Sequence, residues 1–108
     1  MSKLNKKVYQ EVLLENGDKI VLIKTMGPTP GVTIEEVNCN VYRINSKGDI
    51  VWQIDIPIVT RYDGTYKQAP VVYIGYDQYG KFIAAAFNGI DYHVNVNTGK
   101  IISSILTK

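Results

Sequence analysis

The chain has 108 residues, a formal net charge of +2 from 12 basic and 10 acidic side chains, and a 45% hydrophobic share. That length suits a single domain, 1–108, with one real core. The near-balanced charge gives no electrostatic case for a nucleic-acid partner, the single cysteine, Cys39, excludes an internal disulfide framework, and no apolar run approaches the ~20 residues of a bilayer span.

Residues 1–6 read as a solvated N-terminal tail. Lys3 and Lys6, with Lys7 directly after them, give this end charge, but no apolar stretch follows to make a classical signal peptide. The expectation is a cytoplasmic protein without a membrane partner.

From residue 8 onward, β-rich runs alternate with turn sequences. Glu15-Asn16-Gly17-Asp18 separates 8–14 from 20–25, and Asn45-Ser46-Lys47-Gly48-Asp49 separates 37–44 from 50–56. Asp77-Gln78-Tyr79-Gly80 separates 71–76 from 81–87. Asn88-Gly89 and Asn97-Thr98-Gly99-Lys100 then bound 90–96 and 101–106. Gly and Asn accept the positive φ that tight hairpins demand. This spacing predicts about eight short antiparallel strands. Their alternation supports it: Ile90, Tyr92, Val94 and Val96 oppose Asp91, His93, Asn95 and Asn97, and Ile50, Trp52, Ile54 and Ile56 oppose Val51, Gln53 and Asp55.

Phe82-Ile83-Ala84-Ala85-Ala86-Phe87 is apolar on both faces. Its alanines favour a helix intrinsically. It is too short to hold one and lies between two hairpin turns, so it reads as a central strand closely flanked on both sides.

Two segments fall outside the ladder. Residues 26–31 form a Pro/Gly loop, and Thr33 with Glu36 then has capping-box spacing, which leaves a short helix, a turn or a short strand open. Residues 57–70 are a long connection, and Asp63-Gly64 within it suggests a small extra hairpin with arms at 58–62 and 65–67. Long connections in compact domains are often functional. This one carries Arg61, Tyr62, Asp63, Tyr66 and Lys67, and Tyr79 stands in a turn nearby in sequence. Tyr and Arg anchor interfaces, so these six are the candidate binding residues.

Two stretches echo one another. Val41-Tyr42-Arg43-Ile44-Asn45-Ser46-Lys47-Gly48-Asp49-Ile50-Val51 and Tyr92-His93-Val94-Asn95-Val96-Asn97-Thr98-Gly99-Lys100-Ile101-Ile102 each run from a tyrosine-bearing strand through an Asn-Ser/Thr-Gly turn into an Ile-rich strand. Together with Trp52, the pattern resembles the outer hairpin of single blades in PQQ-type and WD-type β-propellers, and 71–108 resembles one four-stranded blade. The resemblance implies blade-like local geometry only. A propeller needs about four to eight blades, this chain has material for two at most, and no ligand residue of those families matches position by position.

Chemistry tested site by site is sparse. One His and one Cys cannot make a structural zinc site, and no acidic loop has calcium-binding spacing. Cys39 reads as a small buried hydrophobe. Gly27-Pro28-Thr29-Pro30-Gly31 is no phosphate cradle, since proline removes backbone donors. Asp91 and His93 share a strand face, and Ser103 or Ser104 on the next strand completes the residue types of a triad; a flat sheet face lacks the held oxyanion hole that a triad needs.

The sequence therefore predicts an all-β fold, with one meander before residue 57 and one after residue 70. They pack as a sandwich, or alternatively form a barrel or two blade-like sheets. The predicted function is that of a small non-enzymatic binding protein, of an inhibitor or immunity type that suits a bacterial or mobile-element origin, with no cofactor or metal. Its partner is another protein or a second copy of the chain in a homodimer. A carbohydrate or other small-ligand module using exposed tyrosines is the alternative, and a hydrolase using Asp91, His93 and a serine ranks last.

Overall fold

The computed structural model describes residues 7–23, 38–56, 59–60, 66–67, 69–87 and 89–106, with Val59, Thr60, Tyr66, Lys67 and Leu106 described by backbone only. The N-terminal tail, the Pro/Gly loop, the segment around Thr33 and Glu36, and residues 61–65 lie outside the described residues.

The runs read from alternation form strands, and each turn sequence closes a hairpin. The first meander consists of β1 (Val8–Leu13), β2 (Lys19–Ile23), β3 (Val41–Ile44) and β4 (Ile50–Gln53). A two-residue ladder follows, β5 (Val59–Thr60) with β6 (Tyr66–Lys67). The second meander consists of β7 (Val71–Tyr76), β8 (Phe82–Ala86), β9 (Ile90–Val94) and β10 (Ile101–Leu106). Both large sheets are antiparallel, with spatial order equal to chain order. They form a sandwich and not a closed barrel, because among the described residues no backbone ladder joins one sheet to the other.

Three of the turns are the same object. In Leu14–Asp18, Asn45–Asp49 and Asp77–Lys81, the first residue's N–H donates to the fifth residue's carbonyl and the fourth residue's N–H donates back to the first. The fourth residue is glycine each time and has positive φ, 90°, 86° and 78° in turn. In the second and third, the leading Asn45 or Asp77 also accepts two backbone N–H bonds through Oδ1. Local side-chain chemistry thus sets these hairpins before any packing does.

The core lies between the sheets. Ile20, Leu22, Val41, Trp52, Ile54 and Ile56 meet Val71, Ile74, Phe82, Ala84, Ala86, Tyr92 and Val94. Each large apolar side chain so buried contributes about 1.5–3 kcal/mol relative to exposure. Strand β8 is central in its sheet, between β7 and β9, as its alanines suggested. Two alternation readings need correction. Ile50 packs with Val21, Ile23 and Tyr42 in a separate buried cluster, because the β3–β4 register shifts between Arg43 and Ile44 and turns it away from Trp52. Cys39 lies before β3, half-buried against the core, and not within a strand.

Polar side chains join the layers at opposite sides of the sandwich. On one side, Trp52 Nε1 and Arg43 Nη1 both donate to the Val96 carbonyl, at 2.8 and 2.7 Å. Arg43 also holds Asp18 through Nε and Nη2, both at 2.9 Å. On the other side, two carboxamides reach β7. Asn40 donates to the Val71 carbonyl and accepts from the Val71 N–H, and Gln10 does the same at Ile74. Each amide satisfies outward-facing backbone groups that an edge strand would otherwise leave bare.

Candidate functional site

The second sheet exposes its outer face, and register sets what that face carries. Directly opposed residues share a face in an antiparallel ladder. Tyr73, Ala85, Asp91 and Ile105 form one row across β7, β8, β9 and β10, and Gly75, Ile83, His93 and Ser103 form the next. Two irregularities place the rows: β7 shifts register between Val71 and Tyr73, and β10 between Ile101 and Ser103.

The rows line an open cleft of about 410 Å³, rimmed by Tyr76, Asp77, Tyr79 and Lys81. Tyr73, Tyr76 and Tyr79 are 55%, 51% and 76% exposed. Tyr79 projects from the Asp77–Lys81 turn, whose backbone Asp77 Oδ1 holds by accepting the Tyr79 N–H at 2.9 Å. Tyr76 is braced edge-on against buried Phe82, with ring centroids 5.3 Å apart and planes at 78°.

Asp91, His93 and Ser103 do meet in the cleft, and Ser103 stands directly opposite His93. Ser104 stands opposite buried Tyr92 and outside the cleft. No hydrogen bond links Asp91, His93 and Ser103 among the described residues. Nor do the described residues contain a group of three or more His, Cys, Asp or Glu able to hold a metal ion. Two carboxylates, Asp77 and Asp91, face one ammonium, Lys81, around the cleft.

No family model, curated protein or solved structure matches this chain.

Of the six sequence-derived candidates, Tyr79 lines the cleft. Tyr66 and Lys67 form β6 and pair with Thr60 and Val59, which gives the expected extra hairpin its ladder. Arg61, Tyr62 and Asp63 lie outside the described residues. Sequence reading missed Tyr73, Gly75 and Ile83. A signal was present, since Tyr73 and Gly75 are two apart on one strand and so share a face. What it lacked was the register that sets them beside Asp91 and His93.

A second hollow, at the end of the sandwich, is lined by Leu13, Leu14, Glu15, Asn16, Arg43, Tyr76, Val96 and Asn97. Its one cation, Arg43, is already engaged by Asp18 and Val96. No helix of the described residues is long and apolar enough to cross a membrane.

Proposed function

We propose that this is a non-enzymatic binding protein, acting in the cytoplasm, whose working surface is the outer face of the second sheet. One observation carries the reading. This face sets half-exposed Tyr73, with exposed Tyr79 at the rim, beside an apolar floor and a polar trio that makes no hydrogen bond among the described residues. Rigid aromatic rings with adaptable polar groups beside them are the usual makings of a recognition surface. That no hydrogen bond links Asp91, His93 and Ser103 among the described residues supports binding over hydrolysis, because a triad works through a base hydrogen-bonded to both its nucleophile and its orienting acid. An inhibitor or immunity-type role suits so small a module.

A photo-crosslinking residue placed at Tyr79 or Ser103 should capture a specific ligand or partner in the source cells. The same residue at Glu11 or Gln53, on the first sheet, should not. Equal labelling from both sheets would overturn the reading.

A second reading, self-association, is favoured by one asymmetry. The β7 edge is occupied by Gln10 and Asn40, whereas β10, Ile101-Ile102-Ser103-Ser104-Ile105-Leu106, carries no charge. It exposes Ile102 by 56% and Ile105 by 67%. An uncharged strand pairs antiparallel with its own copy without like-charge repulsion, and a two-fold there would extend the sheet to eight strands.

A further inference from the structure

Gly75 has no side chain, and the space a side chain would take is already occupied. A Cβ there would lie 2.8 Å from Tyr73 Oη, 3.2 Å from Cζ and 3.3 Å from Cε2. Tyr73 therefore lies down along its own strand over Gly75, yet stays 55% exposed. Beside it runs an apolar floor of Ile83 and Ala85.

Asp91, His93 and Ser103 adjoin this platform. A carboxylate accepts hydrogen bonds, a neutral imidazole offers one donor and one acceptor, and a hydroxyl does both. The three thus present a mixed donor and acceptor set with no partner among the described residues. The ligand that satisfies all of this has an apolar face for the ring and a rim of hydroxyls for the trio. An anionic ligand would meet Asp77 and Asp91 with Lys81 alone among the described cleft residues to oppose them. A purely apolar ligand would cover Asp91 and His93 and leave them unsatisfied.

We infer that the cleft binds a neutral saccharide, with one sugar ring stacked on Tyr73 and its hydroxyls bonded by Asp91, His93 and Ser103. The inference rests on the outer face being the working surface. In this arrangement Gly75 is a positioning residue: it lets the ring lie flat.

The test is titration of the isotope-labelled chain with neutral cello-, xylo-, malto- and chito-oligosaccharides, followed by amide chemical shifts up to roughly 10 mM, which reaches millimolar affinities. At least one series should shift the Gly75, His93 and Ser103 amides saturably. Tyr73→Ala should weaken that binding at least about tenfold, the scale of one ring stacked on an aromatic, and Tyr73→Phe should keep it. Gly75→Ala should weaken it too while the fold stays intact, because the clash is with the far end of a rotatable side chain. No shift across the panel, or unchanged affinity in Tyr73→Ala, overturns the saccharide. If the panel is silent while cleft crosslinks still capture a protein, the surface reading stands and the ligand is that protein. If the cleft crosslinks also capture nothing, both fail.

Discussion

On the outer face of the first sheet, Val21, Ile23 and Tyr42 are buried, at 0%, 7% and 6% exposure, with Ile44 and Ile50 packed against them. On the outer face of the second, Tyr73 and Ile105 stand 55% and 67% exposed beside polar groups with no partner among the described residues. The same meander thus has the outer face of its two central strands, β2 and β3, apolar and covered in one sheet, and its outer face open in the other. An open face rich in aromatic side chains is a common mark of a binding surface. The contrast repeats at the edges of the second sheet, where β7 is capped by carboxamides and β10 has no such cap among the described residues.

The largest expected effect tests the two outer faces against each other. Tyr42→Ala should destabilise the fold by about 3 kcal/mol, as loss of a buried aromatic does. Tyr73→Ala should cost below about 0.5 kcal/mol, as surface changes do. Urea unfolding of both variants measures the difference, and equal costs would erase the contrast between the faces. Next comes the capped edge. Asn40→Ala removes three buried hydrogen bonds, to Ile23 and to both backbone groups of Val71. It should cost about 2 kcal/mol and speed amide exchange at Val71, and an unchanged exchange rate would show that the amide does not guard the strand.

A smaller effect separates the inner from the outer face of β9. Burial pushes the Tyr92 hydroxyl above its ordinary 10.0, and the neighbouring Cys39 adds to this when it ionises. The unfolded chain therefore ionises this tyrosine first, so stability is fully present below pH 10.0 and falls as pH rises past it. Tyr92→Phe should flatten that fall in pH-dependent melting; an identical slope in the variant would assign the fall to other groups. The smallest effect on stability is at the bare edge. Ile105→Lys should change stability by within about 0.5 kcal/mol yet shift a sedimenting dimer to monomer. A wild-type chain that sediments as a monomer at micromolar concentration would remove self-association.

Much of the fold was legible because hairpins are local. Asn45 and Asp77 bond backbone groups two and four residues on, and glycine three residues on supplies the positive φ. The alanines of β8, small on both faces, pointed to a central strand pressed closely by its neighbours, and β8 lies between β7 and β9. The site was less legible. Asp91 and His93 could be placed on one face by alternation, but the register shift in β10 decided that Ser103, and not Ser104, stands with them. Ile50 was misplaced for the same reason, as a register shift reverses which face a residue occupies.

By itself the sequence determined the strands, the turns and the division into two meanders, because those follow from period-two alternation and from turn residues acting over a few positions. Only the tertiary structure decided which outer face is covered and which forms a cleft. It also decided that Gln10, 64 residues from Ile74, and Asn40, 31 residues from Val71, close the β7 edge. Those outcomes depend on how two sheets stack and where their ladders slip, and contacts between residues so far apart leave no periodic trace along the chain.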